Sequence, residues 1–121
     1  MRAVLDTNIL IDYLAGMYAA REEIERYRSP GISLVTWLEV MAGARGGEEE
    51  ISVRRFLARF DVQPISLAVA EEASRIRLER RMRLADALIW ATARAHGRLL
   101  VTRNTRDFPR DDPGVRVPYD V

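Results

Sequence analysis

Five short apolar runs punctuate this chain, at residues 2–5, 32–35, 62–65, 99–102 and 115–117, and between them the apolar residues change their spacing. Each run is too short for a helix and is bounded by Gly, Pro or polar residues, as buried strands are. In the intervening segments the spacing is helical. Ile9, Leu10, Tyr13 and Leu14 recur until Gly16; Met17, Ala20, Ile24 and Tyr27 continue to the Ser29-Pro30-Gly31 break. Thr36 opens a helix to about Gly43, Gly46-Gly47 forms a loop, and Val53, Phe56, Leu57 and Phe60 mark the next helix. Ser66 caps a charged helix through about Arg81, and Leu84, Ala87, Leu88 and Ala91 mark another. Alternation of strand and helix predicts a parallel sheet crossed by right-handed βαβ connections. The expected fold is α/β: a single-domain α/β/α sandwich over residues 1–121 with a four- or five-stranded parallel sheet.

Composition narrows the chemistry. At 121 residues and 48% hydrophobic, the chain is long enough to bury a core. No apolar stretch approaches a membrane span and no secretory leader is visible, so a soluble, cytoplasmic protein is expected, without a membrane partner. Cysteine is absent, which excludes thiol nucleophiles, disulfides and thiolate metal sites. The one histidine, His96, precedes Gly97 at the end of a helical pattern, where His and Gly serve as a C-terminal cap. Hydrolytic chemistry would have to rest on carboxylates and a metal.

Four carboxylates follow the strand pattern. Asp6 comes after the first run, Glu39 after the second, Asp86 opens a helix, and Asp107 lies in the loop after the fourth run. In open α/β sheets such positions meet at the carboxyl edge. Two carboxylates there repel by about 4 kcal/mol at 4 Å and an effective dielectric near 20, so a cation or a proton is needed to hold them together. Each also has a simpler reading. Asp6, Thr7 and Asn8 are all good N-caps. Thr36-Trp37-Leu38-Glu39 fits a capping box. Asp107 suits a solvated turn. Asp86 is the hardest to explain this way, because its flanks from Leu84 to Ala93 are almost wholly apolar.

Taken together, Leu5-Asp6-Thr7-Asn8, Glu39, Ala85-Asp86-Ala87-Leu88-Ile89, Leu100-Val101-Thr102-Arg103-Asn104 and Asp107-Phe108 resemble, in order and spacing, the PIN-domain ribonucleases, specifically the VapC-type toxins of type II toxin–antitoxin modules. The resemblance implies a PIN-like fold and a metal-dependent endoribonuclease using Mg²⁺ or Mn²⁺. It implies Asp6 and Asp86 as direct metal ligands, Glu39 as a further ligand or the group orienting water, and Asp107 as completing the site. Thr7, Asn8, Thr102 and Asn104 would hold the carboxylates by hydrogen bonds. It also implies an RNA substrate, a VapB-type antitoxin and a homodimer. Trp90 stands where relatives commonly carry a small residue, and would narrow the site or form a partner surface.

The net charge of +1 conceals an asymmetry, because residues 75–121 hold 11 basic and 6 acidic side chains. All 19 basic residues are Arg, which suits bidentate phosphate binding, although a GC-rich genome also explains the missing Lys. Arg103 and Arg106 are the expected contacts to RNA phosphate, with Arg2 or the Arg75–Arg83 group as extensions. A solvated helix face also accounts for the latter. Two other functions compete: a catalytically silent PIN-like binding module, against which all four acidic positions are filled, and a receiver-type phosphoacceptor domain, which needs a lysine that this chain lacks.

Overall fold

The computed structural model describes residues 2–120. Its elements run β1 (Ala3–Leu5), α1 (Thr7–Leu14), α2 (Tyr18–Glu25), β2 (Gly31–Ser33), α3 (Leu34–Ala42), α4 (Gly47–Leu57), β3 (Asp61–Gln63), α5 (Leu67–Glu79), α6 (Leu84–Ala95), β4 (Leu99–Val101) and β5 (Val115–Arg116). All pairings are parallel, in the order β3-β2-β1-β4-β5. The five-stranded α/β/α arrangement is the expected one. β1 takes the centre because Ala3, Val4 and Leu5 are all buried, and a strand covered on both faces must be apolar throughout.

The two-residue period of β1 then divides the interior. Val4 joins Leu100, Val69, Ile76, Ile89, Trp90 and Phe108 on the side of α5 and α6. Ala3 and Leu5 face Ile9, Leu10, Ile24, Ile32, Phe56 and Phe60 on the side of α1, α2 and α4. Register places Val4 opposite Leu100 and Leu5 opposite Val101, so both strands end level and hand their following residues, Asp6 and Thr102, to the same edge.

Boundaries shift at several places, and Phe60, expected on a helix, lies beyond the end of α4 at Leu57. The second strand ends at Ser33, not Val35, because the Ser33 hydroxyl accepts the Val35 N–H at 3.0 Å and starts α3 there. The capping box expected at Thr36 and Glu39 therefore does not form; both lie inside α3. The third strand is Asp61–Gln63, ended by Pro64, which lacks a ladder donor. The loop expected at Gly46-Gly47 is only partly one, since α4 begins at Gly47. At the end of α6, His96 is the C-cap and its Nδ1 meets the Thr92 carbonyl at 2.8 Å, with Gly97 at φ 61, as the cap reading requires.

Candidate active site at the carboxyl edge of the sheet

Asp6 continues β1 by one residue, its N–H bonded to the Val101 carbonyl at 2.8 Å, and its side chain caps α1. Only 4% of it is exposed, and its carboxylate is held by three donors. Oδ1 accepts the Thr7 N–H at 2.7 Å; Oδ2 accepts the Thr102 hydroxyl at 2.7 Å and the Asn8 amide at 3.1 Å. A cap and a site carboxylate are thus one side chain.

From Asp6 the hydrogen bonds run outward in two directions. Thr102 Oγ1 accepts the Asn104 N–H at 3.0 Å, and the Asn104 amide donates to Asp107 Oδ2 at 2.9 Å. The Thr7 hydroxyl donates to Glu39 Oε1 at 2.6 Å. Having used its one proton, Thr7 takes its 3.0 Å bond from the Thr36 hydroxyl as acceptor. The first turn of α1, the second turn of α3 and the loop after β4 are joined around one buried carboxylate.

Charge confirms the proximity. Burial pushes the Asp6 carboxyl up to about 6, against the hydrogen bonds from Thr102 and Thr7, and the nearby charges of Asp86 and Glu39 add to the rise. Asp86, half-buried in the first turn of α6, is raised by burial, then by Asp107 and Glu39, with Arg83 opposing. Two acids held above their ordinary range, first by burial and then by the charges of neighbouring carboxylates, are a cation-attracting arrangement.

The donors are all hard oxygens, which suits Mg²⁺ or Mn²⁺ over softer metals. Among the described residues, no three His, Cys, Asp or Glu side chains come close enough to hold an ion between them. The set therefore fits an ion bound through one or two carboxylates with water completing its shell, which is how Mg²⁺ is usually held.

The PIN domain family profile matches residues 3–112. The chain is 36% identical over 126 residues to ribonuclease VapC10 of Mycobacterium tuberculosis, covering 98% of this chain and 93% of that protein. It is 33% identical to the tRNA(fMet)-specific endonuclease VapC of Shigella flexneri, over 91% and 92% of the two chains. In structure it is similar to a chain of a toxin–antitoxin complex from Klebsiella pneumoniae, at TM-score 0.91 and 42% identity over 98% and 99%. The chain belongs to the PIN-domain family, among the VapC ribonucleases.

Within this PIN domain several side chains do other work than expected. Arg103, expected at RNA phosphate, forks its guanidinium onto Asp12, Nε at 2.5 Å and Nη2 at 3.0 Å from the two carboxylate oxygens. Tyr119 donates its hydroxyl to the same carboxylate at 2.9 Å. Arg106 is exposed in the loop, as a phosphate contact requires. Of the Arg75–Arg83 group, Arg75 pairs with Glu72 at 3.3 Å and Arg80 lies over the Trp90 ring, so these two serve α5 and α6. Trp90 neither narrows the site nor faces a partner. It is buried in the core edge-to-face with Phe108 at 5.6 Å, under Arg94.

Asp12 and Tyr119 were missed. The signal for Asp12 was present, since it lies one helical turn after Asn8 on a helix whose neighbours are Ile9, Leu10 and Tyr13. Burial alone would raise its carboxyl, but the Arg103 and Tyr119 hydrogen bonds and the Arg103 charge hold it below the usual range. The clamp ties the loop carrying Asn104 and Asp107 to α1; the Arg103 N–H also reaches Asn8 Oδ1 at 3.4 Å. Asp12→Ala is expected to cost about 2 kcal/mol by leaving a charged donor unpaired, and to reduce activity about tenfold by loosening the loop. Thermal melts and cleavage rates measured on the same preparation check both.

Proposed function

We propose that this chain is a metal-dependent endoribonuclease, the toxin of a VapBC-type toxin–antitoxin module, that hydrolyses RNA phosphodiesters at Asp6, Glu39, Asp86 and Asp107. The observation that carries the reading is the buried Asp6 carboxylate, held by three donors, with the charges of Glu39 and Asp86 near it and that of Asp107 near Asp86. Asp6 and Asp86 would hold Mg²⁺ or Mn²⁺. A bound divalent ion supplies charge neutralisation at the phosphate and a lowered pKa for coordinated water. Thr7, Asn8, Thr102 and Asn104 fix Asp6, Glu39 and Asp107, which limits the reorganisation needed as charge develops on the phosphate. Glu39, anchored through Thr7, would orient water or accept a proton from it. The expected products carry 5′-phosphate and 3′-hydroxyl ends, with Arg106 steadying a flanking phosphate.

Two apolar surfaces support partners. Ile11, Leu14, Tyr18 and Leu38 are exposed on the N-terminal helices beside the acids. They suit an amphipathic antitoxin helix whose basic side chain reaches the cluster. Leu67, Leu78 and Leu84 are exposed on α5 and α6 and suit a second copy of the chain. No helix among the described residues is long and apolar enough to cross a membrane, consistent with action in the cytoplasm.

Purified protein is expected to cut RNA with Mg²⁺ or Mn²⁺ and to stop in excess chelator; equal cleavage in chelator would overturn the metal role. In cells, induced wild type should arrest growth, while Asp86→Asn, or wild type expressed with its neighbouring gene product, should not. Harmless expression of active, unaccompanied wild type would remove the toxin reading.

A further inference from the structure

The opposite, amino edge of the sheet carries a basic cavity that RNA cleavage does not use. It measures about 470 Å³, within the range of small-ligand sites, and is lined by Arg2, Ala3, Tyr27, Arg28, Ser29, Asp61 and Arg98. Three guanidinium groups face one carboxylate. Arg98 immediately precedes β4, yet its side chain is only 9% exposed. Its guanidinium crosses toward β2, where a Cβ on Gly31 would collide with Nη1. One nitrogen, Nη2, is used, at 3.1 Å from Asp61 Oδ2. Nε and Nη1 are buried and have no hydrogen-bond partner among the described residues.

That arrangement is costly as a purely structural device. Asp61 is itself 44% exposed and shares Oδ2 with the Gln63 amide at 2.7 Å, so it compensates the buried cation poorly. An unpaired buried N–H is destabilising, more so when it is charged. Arg2 and Arg28 are exposed and enter no ion pair among the described residues, which leaves the cavity with unbalanced positive charge. The chemistry that satisfies buried guanidinium donors and a surplus of two charges is an oxyanion of two or more negative charges.

We propose that the Arg2, Arg28 and Arg98 cavity binds a terminal phosphate, that of a free nucleotide or of a 5′-phosphorylated RNA end. A dianionic terminal phosphate matches the surplus charge better than the single charge of a backbone diester. Arg98 provides the buried anchor on its Gly31 seat, and Arg2 and Arg28 close over the group from solvent. The site lies at the end of β1 opposite Asp6, so binding there leaves the acidic edge free.

The test is calorimetric titration of the full-length protein in EDTA, which excludes metal effects and leaves RNA intact, so the outcome is independent of whether the acidic edge cleaves RNA. The probes are pyrophosphate, a nucleoside 5′-monophosphate, and one short oligoribonucleotide with either a 5′-phosphate or a 5′-hydroxyl. Binding of pyrophosphate and the mononucleotide, weakened at least tenfold by Arg28→Gln, is expected. The 5′-phosphate RNA should bind at least tenfold more tightly than its 5′-hydroxyl twin if RNA ends are the source, and equally if only free nucleotides are. Gly31→Ala is the decisive variant, because it keeps every charge and displaces the guanidinium from its seat. It should weaken pyrophosphate binding about tenfold with the fold intact by circular dichroism. Absence of pyrophosphate binding, or binding unchanged in both Arg28→Gln and Gly31→Ala, would overturn the proposal.

Discussion

Asp6→Asn and Asp86→Asn are each expected to slow RNA cleavage by about three orders of magnitude while leaving the fold intact. A carboxylate that holds a cation contributes several kcal/mol to the transition state, and about 4 kcal/mol corresponds to that factor. The amide keeps the shape and loses the charge. Asp6 can keep a cap acceptor for the Thr7 N–H as Asn, so α1 need not fray. Asp86 makes no side-chain hydrogen bond among the described residues, so its replacement disturbs little besides the electrostatics. Asp107 is exposed and held through Asn104, so Asp107→Asn should cost nearer tenfold. Single-turnover cleavage of a defined RNA, with circular dichroism as the folding control, measures all three. A loss below tenfold in either of the first two variants would remove that residue from the proposed metal site.

The second large effect is on stability, and its sign follows from Asp6. Its folded carboxyl titrates near 6 against 3.8 for the ordinary value. The folded state therefore binds the proton more tightly than the unfolded chain. This contribution is fully present below about pH 4 and is lost as pH rises through 6, in total about 3 kcal/mol. Metal-free protein should accordingly melt lower at pH 7.5 than at pH 5, by about 5 °C, corresponding to about 1.4 kcal/mol. Asp86, also raised, acts in the same direction. Asp12 and Glu23 are held below their ordinary range, so their contribution is lost only at more acidic pH and does not mask the trend. Mg²⁺ or Mn²⁺ should reverse the fall at pH 7.5, and its affinity should weaken as pH drops through 6, where the proton competes. Asp6→Asn should flatten the pH dependence and abolish stabilisation by the ion. A metal-free melting temperature that rises from pH 5 to 7.5 would contradict the burial of an ionisable Asp6.

Much of this was legible in the chain because the relevant signals are local. Strand-length apolar runs broken by Gly and Pro located all five strands, and the two-residue period of Ala3-Val4-Leu5 already implied two covered faces. The helix starts were less legible. Ser33 and Thr36 are both competent caps, and only the length of β2 in its pairing with β3 decides that Ser33 is used.

Residue type and short-range spacing suffice for the fold class, for the absence of thiol and histidine-pair chemistry, and for the four acids that follow the strand pattern. The tertiary structure alone decided which partners each side chain has. Arg103 reads as a free phosphate ligand until Asp12, 91 residues away in the chain, pairs with it, and Tyr119, 107 residues from Asp12, donates to the same carboxylate. Trp90 reads as a surface or site residue until Phe108 and Arg94 enclose it. The level ends of β1 and β4, which bring Thr102 onto Asp6 across 96 residues, are likewise a matter of register. The physical reason is common to all three. Hydrogen bonds and desolvation act over a few ångströms in space, and the separation along the chain does not enter their energy.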